Sequence, residues 1–207
     1  MGKIISFSNQ KGGVGKTTTC VNMAAYLATM GRKVLIVDID PQGNATTGLG
    51  FSKSTLKKSV YQVLIEGEPA KDNILPTEIP TLFILPANID LAGAEIELVG
   101  KKSREKILKG ALDKVRGEFD YILIDCPPSL GLLTINALTA SDSVIIPIQS
   151  EYYALEGLSQ LMNTVSLVRQ HLNHSLKVEG VALTMYDSRS LISRQIADEI
   201  KKYFTKK

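Results

Sequence analysis

The sequence predicts an α/β fold in which a doubly wound, mostly parallel sheet is flanked by helices. Short apolar runs with almost no polar interruption recur along the chain, and such runs are typical of strands buried on both faces of a parallel sheet. They lie at 3–8, 33–40, 81–87, 120–128, 142–149 and 177–187. Stretches with helical periodicity separate these runs, and this alternation requires right-handed crossover connections.

The individual elements follow from local composition. The first run is rich in β-branched and aromatic residues, and the helix that begins after it is closed by Gly31. Residues 41–80 are less regular, because glycines and prolines interrupt a single helical segment near 55–66. Further helices are expected at roughly 88–116, 131–140, 155–172 and 191–204. The last helix carries an apolar stripe that we expect to face the core, formed by positions 192, 196, 200 and 203.

The composition is that of an ordinary globular protein. Of the 207 residues, 44% are hydrophobic and 22% are charged, so we expect residues 1–207 to form one domain. The net charge of +3 permits a nucleic-acid partner only where positive charge is concentrated locally. Cys20 and Cys126 are expected to be reduced core residues. The N-terminus shows neither a signal peptide nor a membrane-spanning run, so we expect a cytoplasmic protein with no membrane partner.

The glycine-rich stretch NQKGGVGKTTTC directly follows the first predicted strand and opens the first helix. Glycines let backbone N–H groups approach phosphate oxygens closely, and the helix N-terminus adds its dipole. Lys16 is expected to contact the β- and γ-phosphates, the Thr17 hydroxyl to ligate Mg²⁺, and Thr18 to donate to the α-phosphate. The common pattern G-x-x-x-x-G-K-[ST] is modified here, because Gln10 replaces the first glycine and Lys11 adds a second lysine.

Two further predicted strands end in acidic residues, and ligands of open α/β sheets bind at the carboxyl ends of strands. Asp38 and Asp40 share one face of their strand, and Asp40, at the strand end, is freer to reach a phosphate or its attacking water. Asp125 closes the central run as a Walker B carboxylate does, holding Mg²⁺ through its water shell. Together with the glycine loop, these residues predict a nucleoside-triphosphate site.

The motifs KGGVGKTT, DIDPQGN and LIDCPPSLGLLTINAL closely resemble those of the deviant Walker A ATPases of the ParA partition group, the Soj-type chromosomal members in particular. The resemblance runs from residue 1 to the end of the chain and includes LAGAEIELV and EYYALEGLSQL. It implies a P-loop ATPase that binds ATP and Mg²⁺ and forms an ATP-dependent homodimer. The implied cofactor-binding residues are Lys11, Gly12, Gly13, Val14, Gly15, Lys16, Thr17 and Thr18.

The resemblance also implies a task for the second lysine. In this family two subunits enclose two ATP molecules, and Lys11 corresponds to the signature lysine that reaches the partner's phosphates in the manner of an arginine finger. The implied catalytic residues are Lys11, Lys16 and Asp40, with Asp40 positioning the attacking water. The stretch 41–44 and the loop after Asp125 are expected to sense the γ-phosphate.

DNA and a second protein are the partners that the resemblance implies. The ATP dimer is expected to bind DNA without sequence preference, which associates it with the nucleoid, and Arg189 falls where the family places a DNA-contacting arginine. A ParB-type centromere-binding protein is expected to stimulate hydrolysis and release the dimer. The densest basic run, 101–106, is interpreted from composition alone as a solvated helix face.

The chain differs from the family at its end. Soj-type proteins usually continue with another strand, a loop near the adenine and a terminal helix, so we expect a C-terminally short form with weaker adenine and DNA contacts. Two alternatives stay open. One is a truncated, non-hydrolysing nucleotide-binding scaffold, and the other is a MinD-like ATPase that cycles on membranes and would need an amphipathic tail beyond the fold.

Overall fold

The structure is a computed structural model that describes residues 2–151 and 154–205. Its strands are β1 (Lys3–Phe7), β2 (Val34–Asp38), β3 (Leu75–Pro76), β4 (Leu82–Leu85), β5 (Tyr121–Asp125), β6 (Ser143–Gln149) and β7 (Lys177–Thr184). They form a seven-stranded sheet in the order β3-β4-β2-β5-β1-β6-β7. Strand β3 pairs antiparallel with β4, and the other pairs are parallel. The predicted mostly parallel sheet is confirmed.

Helices cover both faces of this sheet. They are α1 (Lys16–Thr29), α2 (Asn44–Gly48), α3 (Ala70–Asn73), α4 (Ala94–Val99), α5 (Ile107–Asp113), α6 (Leu132–Ala140), α7 (Ala154–His171) and α8 (Leu191–Thr205). A π-helical turn at Gln62–Glu66 and 3₁₀ turns at Ile89–Gly93 and Arg116–Glu118 add to these. Tyr152 and Tyr153, which belong to the EYYALEGLSQL stretch, lie outside the described residues.

The central strand β2 shows how the two faces are built. All five of its residues are buried, and successive side chains of a strand point to opposite faces. Leu35 and Val37 pack with α4, α5 and α6, whereas Val34 and Ile36 pack with α1. A third cluster joins β6 to α7 and α8. Burial on both faces explains why the strands appear in the sequence as continuous apolar runs.

The register of the central strands places three chain segments at one edge of the sheet. In β5, Asp125 is paired with Asp38 of β2 on one side and with Phe7 of β1 on the other. Because the three strands are parallel, their carboxyl ends meet there. The loops that follow β1, β2 and β5 therefore lie next to one another.

The expectation of one helix over 88–116 is wrong, because the structure divides this stretch into α4, α5 and an irregular connection. Ser103 has a φ of 51°, which is incompatible with a right-handed helix. The buried Asn136 side chain of α6 satisfies the interrupted backbone. Its Nδ2 donates to the Arg104 carbonyl at 2.7 Å, and its Oδ1 accepts from the Leu108 amide at 3.1 Å.

The basic run between α4 and α5 is partly structural, which corrects its interpretation as a solvated helix face. Lys101 Nζ donates to the Ile65 carbonyl at 2.6 Å, and an Arg104 terminal nitrogen donates to the Val99 carbonyl at 2.8 Å. Both carbonyls belong to the last turn of a helical segment, where carbonyl groups lack partners within the helix. These two side chains therefore cap helix ends.

Helix α8 is amphipathic, but its apolar stripe is shorter than the sequence predicts. Ile196 and Ile200 are buried against β6 and α7, and Tyr203 packs partly with them. Ile192 is 53% exposed, so the contact with the core begins one turn later. Within residues 2–151 and 154–205, no helix is both long enough and apolar enough to cross a bilayer.

Candidate functional site

The loop between β1 and α1 has the backbone geometry that a phosphate-binding loop requires. Gly13 and Gly15 have φ angles of 76° and 81°, in the left-handed region that glycine adopts without steric cost. Helix α1 begins at Lys16, directly after Gly15. The free amides of its first turn therefore face the loop, and the positive end of the helix dipole adds to their attraction for an anion.

Lys16 is buried inside this loop. Its side chain is bent back so that Nζ donates to the Lys11 carbonyl at 2.9 Å, and only 6% of the residue is exposed. Burial lowers the pKa of the Lys16 ammonium, and the nearby Asp125 opposes this change. The ammonium therefore has a backbone acceptor that a phosphate oxygen could replace.

Asp125, the last residue of β5, carries a fully buried carboxylate. Neither of its oxygens accepts a well-formed hydrogen bond from the described part of the chain. Burial raises its pKa to about 8, and the negative charge of Asp38 contributes, whereas the Thr17 hydroxyl opposes the rise. An unsatisfied buried carboxylate beside a threonine hydroxyl is a donor set of oxygens, which Mg²⁺ prefers. The residues present therefore fit a magnesium ion.

Asp38 and Asp40 have different surroundings, although they are two residues apart. Asp38 is fully buried below the loop, and its carboxylate accepts hydrogen bonds from Thr46. Burial raises the pKa of Asp38 to about 6 against the effect of these bonds. Asp40 is 5% exposed, and its Oδ1 accepts from the Gln42 amide at 2.9 Å. Its other oxygen accepts no hydrogen bond from the described residues.

A cleft of about 290 Å³ opens at the carboxyl ends of β1, β2 and β5. The sequence-predicted residues that line it are Gly12, Gly13, Gly15, Lys16, Thr17, Thr18 and Asp40. Val14 is instead buried behind the loop, where its carbonyl accepts from the Thr184 hydroxyl at 2.8 Å. The structure thus brings the glycine loop and Asp40 together, with Asp125 beneath them.

Further lining residues come from the adjoining loops. Gln42 and Asn44 lie in the stretch that was expected to sense the γ-phosphate, and Pro128 follows Asp125. Met185 was not predicted. It follows the carboxyl end of β7, has a φ of 51° and is 62% exposed. The rule that ligands bind beyond the carboxyl ends of strands could have indicated it.

Lys11 does not lie in the cleft. Its ammonium forms an ion pair with Glu151, and the two side chains are 43% and 34% exposed. Its backbone amide donates to the Asn9 side chain at 3.0 Å, which fixes the start of the glycine loop. The side chain is therefore at the surface beside the cleft, where a second molecule can reach it.

Arg189 is on the loop between β7 and α8, four residues beyond Met185. Its side chain is 89% exposed and forms a two-fold contact with Asp187, at 3.0 and 2.9 Å. This contact lowers the pKa of Asp187. The predicted DNA-contacting residue is thus at the surface, on the same loop that contributes Met185 to the cleft.

A strand, a glycine loop and a helix followed by two carboxylate-bearing strand ends define a P-loop nucleotide-binding protein. Residues 2–178 match the family model described as an AAA domain. The chain is 61% identical over 207 residues to the sporulation initiation inhibitor protein Soj of Bacillus subtilis, covering 100% of this chain and 82% of that one. It is 55% identical over 206 residues to the chromosome partitioning protein ParA of Myxococcus xanthus, covering 100% and 73%. The chain belongs to the Soj/ParA family of chromosome-partitioning ATPases, and the resemblance inferred from the motifs is confirmed.

Solved structures share the fold of this chain. One is a crystal structure described as cobyrinic acid a,c-diamide synthase from Mycobacterium smegmatis with bound ADP and magnesium. It is 45% identical with a TM-score of 0.93, covering 98% of this chain and 82% of that one. A plasmid partition protein from Borrelia burgdorferi is 25% identical with a TM-score of 0.73, covering 100% and 99%.

Proposed function

We propose that this chain binds ATP with Mg²⁺ in the cleft and hydrolyses it as a partitioning ATPase. The observation that carries this proposal is the convergence of the glycine loop, Lys16 and Asp40 on one cleft, with the buried Asp125 close enough to Lys16 to oppose the lowering of the Lys16 pKa by burial. The membership in a family of ATPases supports it. So does the related structure from Mycobacterium smegmatis, which contains ADP and magnesium.

The bound magnesium ion would be held by Thr17 directly and by Asp125 through water, and it would neutralise charge on the β- and γ-phosphates. Lys16 exchanges the Lys11 carbonyl for phosphate oxygens. The amides of the glycine loop and of the first turn of α1 hold the remaining oxygens. The interaction with Lys16 is charge-assisted on both sides, which makes it about twice as strong as a neutral hydrogen bond.

Asp40 is the residue that orients the attacking water. Its Oδ1 is held by the Gln42 amide, so the second oxygen is left to accept a hydrogen bond from a water molecule in the cleft. A carboxylate fixed in this way positions the nucleophile without a large loss of entropy when the water binds. The loop 41–44 follows it directly and would respond to the γ-phosphate.

Dimerisation would bring Lys11 to the phosphates of the second subunit. Its ion pair with Glu151 is about two-fifths exposed, and pairs of this kind contribute only about 0.2–1 kcal/mol. Lys11 can therefore leave Glu151 at low cost when a phosphate is offered by a partner. Added positive charge at the transferring phosphate stabilises the transition state, as an arginine finger does.

DNA binding by the ATP dimer is proposed through Arg189. The strand that precedes the Arg189 loop contacts the nucleotide site directly, because the Thr184 hydroxyl donates to the Val14 carbonyl of the glycine loop at 2.8 Å. Thr184 ends β7, and the loop that follows carries both Met185 and Arg189. We propose that residues 1–207 act as one ATPase unit that is cytoplasmic, associates with the nucleoid and is stimulated by a ParB-type protein.

ATP turnover tests this function. The purified chain is assayed alone, with non-specific duplex DNA, and with DNA plus a ParB-type protein. We expect slow turnover that rises when both are present, and no turnover in Lys16→Ala, which should also lose nucleotide binding. Asp40→Ala should bind ATP as the parent does but hydrolyse it only at a small, measurable residual rate.

The outcomes separate the alternatives. Nucleotide binding without turnover under every condition would indicate the non-hydrolysing scaffold instead. Retained ATP binding in Lys16→Ala would show that the loop has been assigned wrongly. Normal turnover in Asp40→Ala would remove Asp40 from the reaction. Binding of the ATP form to anionic vesicles in preference to DNA would indicate the MinD-like alternative.

A further inference from the structure

The carboxylate of Asp38 lies at the centre of a buried hydrogen-bond network below the cleft. Its Oδ2 accepts from the Thr46 amide at 2.8 Å and from the Thr46 hydroxyl at 2.7 Å, and its Oδ1 accepts from the Asp40 amide at 3.2 Å. Asp38 and Thr46 are both fully buried. One carboxylate thus holds both ends of the loop that carries Asp40.

The Thr46 hydroxyl extends this network to a neighbouring strand. While it donates to Asp38, the same oxygen accepts from the Ala87 amide at 2.9 Å. Ala87 follows the carboxyl end of β4, which pairs with β2. The hydroxyl is therefore satisfied as both donor and acceptor, and among small side chains only serine and threonine can do this.

Between these fixed points the loop is short and internally bonded. The Gly43 amide donates to the Asp40 carbonyl at 2.8 Å, and the Gln42 amide donates to the Asp40 carboxylate at 2.9 Å. Gly43 has a φ of 61°, which allows the sharp turn. The main chain of Asp40 is thus held on its amide side by Asp38 and on its carbonyl side by Gly43.

We propose that Asp38, acting through Thr46, positions Asp40 for hydrolysis. Asp38 does not line the cleft, so it acts on the main chain of the reacting residue and not on the nucleotide. The proposal rests on the proposed role of Asp40 in orienting water. A carboxylate that must hold a water molecule in line with a phosphate is sensitive to small displacements, and an error of about 1 Å can reduce a rate about 100-fold.

The test compares three single-residue variants at Thr46 and Thr47. Thr46→Val has nearly the same shape but removes the hydroxyl, Thr46→Ser retains it, and Thr47→Val is the matched control. The Thr47 hydroxyl is exposed and bonds only to the Gly43 and Asn44 carbonyls among the described residues. Steady-state turnover gives kcat, and titration with a fluorescent ATP analogue gives Kd.

We expect kcat of Thr46→Val to fall about 10- to 100-fold while Kd for the nucleotide changes no more than about threefold. Thr46→Ser should recover kcat to within about threefold of the parent, and Thr47→Val should match the parent. Parent-like kcat in Thr46→Val would overturn the proposal. Equal losses of binding and turnover in Thr46→Val and Thr46→Ser would also overturn it, because they would indicate a purely structural role.

A double mutant separates this proposal from the role of Asp40. If Thr46 acts through Asp40, adding Thr46→Val to Asp40→Ala should reduce the residual turnover no further, because the two changes affect one step. An additional loss in the double mutant would refute action through Asp40. If Asp40→Ala alone has parent-like turnover, the proposed function of Asp40 fails, and the positioning proposal fails with it.

A second variant covers the case in which Thr46→Val does not fold. Asp38→Asn keeps the shape and one acceptor oxygen but places an amide donor against the donors of Asp40 or Thr46. It should bind the nucleotide and show a kcat loss in the same range. Parent-like kcat in Asp38→Asn, or failure of both variants to fold, would overturn the positioning role.

Discussion

The Lys11→Ala variant tests whether Lys11 contacts the nucleotide of its own subunit or the nucleotide of the partner subunit. In the single subunit, the Lys11 side chain contacts Glu151 and not the cleft. Its removal should therefore leave ATP binding by the monomer within about threefold of the parent. ATP-driven dimerisation and hydrolysis should fail, because the charge that crosses to the second nucleotide is gone.

The expected loss of dimerisation free energy in Lys11→Ala follows from two opposing contributions. A hydrogen bond between a lysine and a phosphate contributes about 1.5–3 kcal/mol. The exposed ion pair with Glu151, which Lys11 gives up when it crosses, is worth about 0.2–1 kcal/mol. The net contribution is about 0.5–2.8 kcal/mol per lysine, and two lysines cross a two-fold interface. Dimerisation should weaken by about 1–6 kcal/mol, with a central value near 3.5 kcal/mol or several hundredfold.

Sedimentation of each variant with a slowly hydrolysed ATP analogue measures the dimerisation constant. Lys3→Ala is a matched control, since Lys3 also forms a half-exposed ion pair, with Glu179. Lys3 begins β1, at the opposite end of the strand from the cleft, so its loss should leave dimerisation unchanged. Normal dimerisation and hydrolysis in Lys11→Ala would refute the action of Lys11 across the interface.

Three further outcomes are expected. Arg189→Ala should weaken binding to all DNA sequences alike and lower the salt dependence by about one phosphate contact, as measured by fluorescence anisotropy at several salt concentrations. Asp125→Asn should raise the Mg²⁺ concentration needed for half-maximal turnover, because the carboxylate contributes to holding the ion. Ile36→Ala, at a fully buried site in β2, should lower the free energy of unfolding by about 2–5 kcal/mol, as measured by urea titration.

Much of the fold could be predicted because its strands are buried on both faces. Continuous apolar runs such as 33–40 and 120–128 allow few other interpretations, and the observed strands lie within them. The prediction of one helix over 88–116 was wrong because the break between α4 and α5 depends on a distant side chain. The apolar periodicity of this stretch continues across α4 and α5, while the break depends on the side chain of Asn136, more than 25 residues away in sequence. Local pattern carries no information about such a distant hydrogen bond.

The part of the candidate site formed by a local backbone motif could be predicted from the sequence. The parts that depend on contacts between residues far apart in sequence could not. The glycine loop and its lysine form a local motif, and the structure places most of that motif around the cleft. Met185 was missed because it follows β7, and no phosphate-binding or Walker motif marks the end of that strand. The resting position of Lys11, against Glu151, could not be derived, since it depends on a residue that only the fold brings near.

Three aspartates meet at the same edge of the sheet, yet each has a different role because its neighbours differ. Neither oxygen of Asp125 accepts a well-formed hydrogen bond from the described residues, so a cation is the partner that its burial requires. Asp38 has three donors, so both of its oxygens already have hydrogen-bond partners and it can act as a fixed point for the loop. Asp40 has one donor at one oxygen and faces the cleft, which leaves it able to bind water. The sequence places all three carboxylates at strand ends, but only the count of their hydrogen-bond donors separates a metal ligand from an anchor and from a reacting group.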